Sequence, residues 1–196
     1  MQAHKTHETI RSRVKAICAT AGFLLLIVQP SGMYAQSASE VEYRFKAVYL
    51  FNFLQLIEWP TTAFDSDESP LVVGILGKDP FGRLLDDLLK KERINERPVV
   101  IRRFEDYEDV EKCHLLFVSD SEGDRIPAIL RQAQQRQALT VSEIVGFAER
   151  GGGINFYIEN NRIKFEINVD ALRRADLHAS SKLLRLARLV KPSKDG

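Results

Sequence analysis

The stretch GFAERGGGINFYIENNRIKFEIN, residues 146–168, decides the fold, because it predicts a β-hairpin with a single register. Residues 154–159 and 162–169 alternate apolar and polar side chains, as half-buried strands do. Asn tolerates a positive φ, so Asn160 and Asn161 predict a two-residue type I′ turn. A two-residue turn sets Phe156 opposite Phe165. A slip of one residue would turn every Ile and Phe of the hairpin to the other face, so the register is strongly specified.

The two faces of this hairpin differ in chemistry. The apolar face is expected to form the floor of the core, and it carries Ile154, Phe156, Ile158, Ile163, Phe165 and Ile167. The other face carries Asn155, Tyr157, Glu159, Arg162, Lys164 and Glu166. The glycine run at 151–153, just before the hairpin, is open to two interpretations. It is either a flexible surface loop or a bulge or tight turn.

Upstream of the hairpin, apolar runs that suit buried strands alternate with segments of helical periodicity. Strands are predicted at 71–76, 98–102, 114–119 and 138–141, and helices at 40–59, 81–91 and 127–137, with two more at 169–175 and 180–190. Continuous apolar strands are typical of sheets covered on both faces. The order therefore predicts an α/β fold, a layered and mostly parallel sheet flanked by helices, with the antiparallel C-terminal hairpin at one edge.

Two of the predicted helices carry further expectations. The helix at 40–59 has apolar residues around most of its circumference, and Pro60 is expected to end it. Its stripe of Val41, Phe45, Val48, Tyr49 and Asn52 favours a central core helix, with a recognition surface as the alternative. In the helix at 81–91, Asp79 is expected to cap the N-terminus.

The N-terminus has the layout of a secretory signal peptide. A basic segment is followed by an apolar run at 16–28, a Pro–Ser–Gly break and the small residue Ala35. Thirteen apolar residues make about 20 Å of helix, which is short for a membrane anchor, the alternative interpretation. Residues 1–35 are therefore predicted to be a cleaved signal peptide, residues 36–196 a single domain, and the mature protein periplasmic.

The predicted mature chain offers little for catalysis. Cys113 and His114 are neighbours on a strand, so they point to opposite faces and do not form a nucleophile pair. The acidic loop at 120–124 departs from a calcium loop, and no phosphate-binding glycine motif is present. The sequence therefore predicts no catalytic, cofactor-binding or metal site. Its near-neutral charge gives no case for nucleic acid.

Five segments, in order, resemble the YfiR-like family of exported bacterial regulators over nearly all of the mature chain. They are KAVYLFNFLQLIEWP (46–60), VVGILGKDPFG (72–82), CHLLFVS (113–119), LTVSEIVGFAERGGGINF (139–156) and RIKFEINVDALRRADLHASSKLLRLARLV (162–190). The resemblance implies a periplasmic α/β domain without enzymatic activity. It implies binding to the periplasmic region of a membrane-bound diguanylate cyclase, which the protein represses, and thereby control of cyclic-di-GMP and biofilm. It also implies an outer-membrane lipoprotein as a second partner.

One departure from the family concerns cysteine. Family members with disulfides carry cysteines in the later half of the chain, whereas here Cys113 is the only cysteine after residue 35. Redox gating within one subunit is therefore not expected. We expect Cys113 to be buried, and an intermolecular Cys113 disulfide requires that it be exposed.

The predicted partner-binding surface surrounds the base of the hairpin, and its residues are Phe147, Arg150, Gly151, Gly152, Asn155, Glu166 and Asn168. For the three polar hairpin residues, hydrogen bonding to neighbouring backbone groups is an equal alternative. The sequence leaves open whether the protein forms a homodimer. The alternative function is a periplasmic small-ligand-binding module that feeds a sensor kinase or transporter.

Overall fold

A computed structural model describes residues 32–192, with side chains from residue 39 onward. The predicted signal peptide therefore lies almost wholly outside the described residues. The helices are α1 (Gly32–Leu56), α2 (Arg83–Leu89), α3 (Ile126–Gln135), α4 (Val169–Arg174) and α5 (Ser181–Leu186). The strands are β1 (Ile57–Glu58), β2 (Leu71–Leu76), β3 (Arg93–Ile94), β4 (Arg97–Phe104), β5 (Leu115–Val118), β6 (Leu139–Ser142), β7 (Ile154–Glu159), β8 (Arg162–Asn168), β9 (His178–Ala179) and β10 (Arg188–Val190).

The described residues build one large sheet with strand order β10-β8-β7-β6-β5-β2-β4-β3. Its pairs are parallel except β7–β8 and β3–β4, which are antiparallel. The predicted fold class, a mostly parallel α/β sheet with an antiparallel C-terminal hairpin, is confirmed. One short strand, β10, lies outside the hairpin at that end of the sheet.

The predicted hairpin register is also confirmed. Phe156 pairs with Phe165, and Glu159 pairs with Arg162 across the turn. Asn160 and Asn161 have φ values of 52° and 59°, which a type I′ turn requires at both positions. Turn chemistry and hydrophobic alternation, both local properties, were sufficient to specify this element.

Apolar clusters cover both faces of the sheet. This burial explains why the sequence of β2 is a continuous apolar run. Leu71, Val73 and Ile75 contribute to the cluster under α1. Val72 and Leu76 contribute to the cluster that includes α3. Because successive side chains point to opposite faces, a strand between two helical layers needs apolar residues at nearly every position.

Three expectations about helices were wrong. The first helix ends at Leu56, because Ile57 and Glu58 pair with β9 before Pro60 is reached. The predicted helix at 180–190 stops at Leu186, and Arg188–Val190 instead joins β8 as a parallel strand. In both cases pairing with a distant segment overrode helical periodicity.

The third concerns Asp79, which was expected to cap the helix after β2. Its Oδ1 accepts a 2.7 Å hydrogen bond from the backbone N–H of Phe81, and its Oδ2 pairs with Arg103 at 2.8 Å. The helix, α2, begins only at Arg83, after Gly82 with φ +53°. Asp79 thus makes a turn before the helix and ties it to β4.

None of the helices within residues 32–192 has the length and apolar character of a membrane-spanning segment.

Candidate docking surface

Helix α1 is apolar on two sides, and the sheet covers one of them. Leu50 and Phe53 are fully buried, and Phe53 packs on Phe156 and Phe165 of the hairpin at ring distances of 5.7 and 5.1 Å. Part of the stripe predicted to face the core lies on the other side, whereas Tyr49 of the same stripe packs on Phe165 of the hairpin. Val41, Phe45 and Val48 are exposed, with 58% of Phe45 accessible to solvent. These residues recur at spacings of four and three, so they form one continuous apolar face.

The tip of the β7–β8 hairpin extends this apolar face. Ile158 was expected in the core, but it is 59% exposed. Between α1 and the hairpin tip lies a groove of about 830 Å³. The groove is lined by Ser39, Val41, Glu42, Phe45, Tyr49, Ile158, Asn161, Arg162 and Ile163. We call this set the α1–hairpin groove.

A buried ion cluster holds α1 in the orientation that exposes this face. Lys46 is only 2% exposed, and its ammonium group pairs with both Glu42 on α1 and Glu143 after β6. The Tyr43 hydroxyl donates a 2.8 Å hydrogen bond to Glu143. Rotation of α1 about its axis would leave these charges unpaired in the interior, which is costly. Lys46 therefore points inward and Phe45, its neighbour, outward.

The same cluster perturbs proton equilibria. Burial, then the hydrogen bond to Glu143, raises the pKa of Tyr43 well above its usual 10. Burial, then the charge of Glu143, raises the pKa of Asp120. The hydroxyl of Tyr43 therefore stays protonated at neutral pH and remains a donor to Glu143.

The seven residues predicted to bind a partner lie mostly in the interior. Phe147, Gly152, Asn155, Glu166 and Asn168 are buried, so in this conformation they present no surface to a partner. Arg150 is exposed and Gly151 is partly exposed. The role of these seven residues in partner binding stays a prediction.

The buried polar residues satisfy backbone groups of the 143–153 segment. Asn155 Oδ1 accepts from the N–H of Phe147 at 3.0 Å, and Asn168 Nδ2 donates to the carbonyl of Ala148 at 2.7 Å. Both side chains lie against this segment at the base of the hairpin, whereas Arg162 and Lys164 nearer the tip stay exposed. Glu166 instead pairs with Arg188 of β10, and this pair holds the edge strand.

The glycine run is a tight turn. A Cβ on Gly152 would lie 2.2 Å from the Phe147 ring and 2.8 Å from its carbonyl oxygen. The N–H of Gly153 donates to Thr140 Oγ1 at 2.9 Å, and its carbonyl accepts from Asn168. Of the two interpretations left open for residues 151–153, the structure agrees with a bulge or tight turn and not with a flexible surface loop.

His114 and Cys113 occupy separate environments, as expected. The Cys113 thiol is buried, and burial raises its pKa to about 12. Burial, then the charge of Lys112, lowers the pKa of His114 to about 4, and its Nδ1 accepts from the N–H of Val72 at 3.0 Å. Within residues 39–192, no three His, Cys, Asp or Glu side chains come together as metal ligands would.

A family model described as YfiR/HmsC-like matches residues 43–188, well over half of the chain. The chain belongs to the YfiR/HmsC-like family. The resemblance read from the sequence is thereby confirmed. The comparison with curated proteins found no match.

Solved structures similar to this YfiR/HmsC-like protein include two from bacteria. One is a ligand-free, open substrate-binding protein with adhesive properties from Clostridium difficile, with 13% identity and a TM-score of 0.47 over 62% of this chain and 55% of that one. The other is the ABC domain from Streptococcus pneumonia in complex with L-Trp, with 10% identity and a TM-score of 0.45 over 66% of this chain and 57% of that one. This chain therefore spans little more than half the length of each.

Membership of the YfiR/HmsC-like family supports, at the level of the family, a periplasmic regulatory role. Members of the family are regulators rather than enzymes, and they act with membrane-bound partner proteins. Large exposed apolar patches mark interaction sites in soluble proteins. The sequence signal for this groove was present, because a helix that is apolar on two sides exposes one unless two layers cover it.

Proposed function

We propose that this protein is a non-enzymatic periplasmic repressor that binds the periplasmic sensor region of an inner-membrane diguanylate cyclase and lowers cyclic-di-GMP signalling. The α1–hairpin groove is the docking surface. The observation that carries the proposal is the exposure of Val41, Phe45 and Val48 on one face of α1, beside exposed Ile158.

The chemistry of the groove fits an apolar helix or strand of the sensor region. Burial of apolar area is worth about 25 cal/mol per Å², so covering Phe45 and Ile158 alone contributes a few kcal/mol. Tyr49 forms the floor, packed at 5.5 Å on Phe165. Glu42 and Arg162 line the groove as well and add polar groups of both signs. The groove thus combines an apolar centre with charges that can orient a partner.

The groove is also preorganised. The Lys46 cluster fixes the rotation of α1. The antiparallel pairing of β7 with β8 fixes the backbone position of Ile158. Docking therefore requires little ordering of this protein, which reduces the entropy lost on binding.

Repression follows from differential affinity. A protein that binds the inactive conformation of the cyclase more tightly than the active one shifts the population toward the inactive state. Within this proposal, the outer-membrane lipoprotein competes for the repressor and thereby relieves the block. The change in cyclase activity is limited by the ratio of the two affinities.

The test is binding of the isolated sensor region to three forms of the full chain, measured by calorimetry. Phe45→Ser removes the centre of the groove and is expected to weaken binding about tenfold or more. Leu186→Ser, at a side chain that is 66% exposed on α5 and is not among the groove residues, is the matched control. Equal affinity of the wild-type and Phe45→Ser proteins would exclude the groove.

Export belongs to the same proposal. Residues 1–35 are the cleaved leader, and residues 36–196 form the mature domain. N-terminal sequencing of protein from the periplasmic fraction is expected to begin at residue 36. Recovery of the intact N-terminus from the cytosol would contradict the predicted cleavage.

The competing occupant of the α1–hairpin groove is a second copy of this chain, in a homodimer through the apolar face of α1. In that case sedimentation would show a dimer for the wild type that the Phe45→Ser variant loses.

A further inference from the structure

A second cavity, of about 630 Å³, opens between α3, the 149–153 turn and α4. Its apolar lining includes Leu130, Leu139, Leu172 and Leu177. Its polar lining includes Arg131, Arg150 and Arg174. We call it the arginine cleft. Its volume falls within the usual range for sites that bind small molecules.

Among the described residues, no carboxylate forms an ion pair with any of these three arginines. Within residues 39–192, the arginine ion pairs to carboxylates involve other arginines, such as Arg125 with Asp106 and Glu122. Arg150 makes one bond, from Nη2 to the carbonyl of Gly123 at 3.1 Å, so most of its donors stay free. Glu149 is the acidic residue in the lining and forms no ion pair among the described residues. The cleft therefore has a positive rim over an apolar floor.

The backbone at Gly151 brings floor and rim together. Gly151 has φ +102°, a conformation that residues with a side chain rarely adopt. A Cβ there would lie 3.7 Å from Leu130 Cδ1 and 3.9 Å from Arg174 Nη2. The apolar side chain and the guanidinium group thus approach the same point from two helices.

We propose that the arginine cleft binds a small amphiphilic anion. Its carboxylate or phosphate group pairs with Arg131 and Arg174, since the planar guanidinium fork matches both groups. Its apolar body packs on Leu130 and Leu172. A neutral or cationic ligand of the same shape gains nothing from the rim. This site is independent of the α1–hairpin groove and of the proposed docking function.

The test uses the fluorescent anion 8-anilinonaphthalene-1-sulfonate as the probe, titrated into the full chain at low ionic strength. The Arg131→Gln, Arg174→Gln double variant is expected to bind it about tenfold more weakly, because two charge-assisted contacts are lost. The matched control is Arg162→Gln, an exposed arginine that lines the α1–hairpin groove and is expected to leave the affinity unchanged. All three positions are exposed, so folding is expected to be unaffected, and circular dichroism checks this.

Competition identifies the class of anion. Octanoate and octyl phosphate are expected to displace the probe, and octanol, which has the same tail without charge, is not. Displacement by octanoate alone assigns a carboxylate ligand, and displacement by octyl phosphate alone assigns a phosphate. The proposal is overturned if the probe does not bind, if the double variant binds it as tightly as the wild type, or if Phe45→Ser rather than the double variant abolishes binding.

Discussion

The Oδ1 atom of Asn155 accepts a 3.0 Å hydrogen bond from the backbone N–H of Phe147, and both residues are buried. The same side chain donates to the carbonyls of Ser142 and Phe156. One amide group therefore satisfies backbone atoms of the sheet and of the segment that crosses its polar face. The residue whose pattern indicated a partner-binding surface is a structural link between two parts of the fold.

Replacing Asn155 with Leu is expected to lower the free energy of unfolding by about 1–3 kcal/mol, because buried backbone groups lose their partner. Urea denaturation followed by circular dichroism measures the loss. Glu159→Gln, on the exposed end of the same strand, is the control and is expected to change stability by less than about 0.5 kcal/mol. An Asn155→Leu protein as stable as the wild type would contradict this role for the hydrogen bonds.

Gly152→Ala is expected to destabilise the protein by about 1–3 kcal/mol through overpacking, since its Cβ would overlap the Phe147 ring. Gly123→Ala is the control, because a Cβ there meets nothing within 4 Å. The urea concentrations at the unfolding midpoint are compared for the two variants, with the same dependence of the free energy of unfolding on urea concentration. If Gly152→Ala behaved like Gly123→Ala, the turn at 151–153 would have to be looser than the packing around Phe147 indicates.

Lys46→Met is expected to cost about 3 kcal/mol, because it leaves Glu143 in the interior without its cation. Arg44→Met is the control on the same helix, since Arg44 and Glu40 are both mostly exposed and such pairs contribute about 1 kcal/mol or less. Chemical denaturation of both variants at neutral pH measures the difference. Similar losses for the two would show that the Lys46 cluster does not fix α1.

His114 is expected to make stability fall with decreasing pH. Its pKa of about 4 in the folded protein lies below the usual 6.5, so between these values the unfolded chain binds the proton preferentially. The contribution is fully present above about pH 6.5 and is lost progressively down to about pH 4, on the order of 3 kcal/mol in total.

The measurement for His114 is urea stability at several pH values from 7 to 4.5. His114→Gln is expected to flatten the slope between pH 6.5 and 5, where few carboxylates titrate. His178→Gln, at an exposed histidine, is expected to retain the slope of the wild type. An unchanged slope in His114→Gln would assign the pH dependence to other groups.

Much of the sheet could be predicted because its signals are local. The apolar run at 71–76 coincides with β2, and the Asn160–Asn161 turn set every cross-strand pair of β7 and β8. The segment at 188–190 could not be predicted in this way. Its helical periodicity is real, but three residues of parallel pairing with β8 and the Arg188–Glu166 contact are available only after the chain has folded back.

The candidate docking surface was only half predictable. The apolar character of α1 on two sides is evident in the sequence, yet the choice of the buried side depends on Lys46 reaching Glu143, a residue 97 positions away. In the same way, Asn155 was predicted to lie on a partner-binding surface, and it is instead buried where it bonds to the 143–153 segment.

The amino-acid sequence by itself determined the family, the class of the fold and the register of the hairpin, because periodicity and turn preference act over a few residues. The tertiary structure alone decided that Phe45 faces solvent while Asn155 and Glu166 are buried. The physical reason is that burial depends on which distant segments dock on a given face, and an amphipathic or doubly apolar element is equally compatible with more than one arrangement until those contacts form.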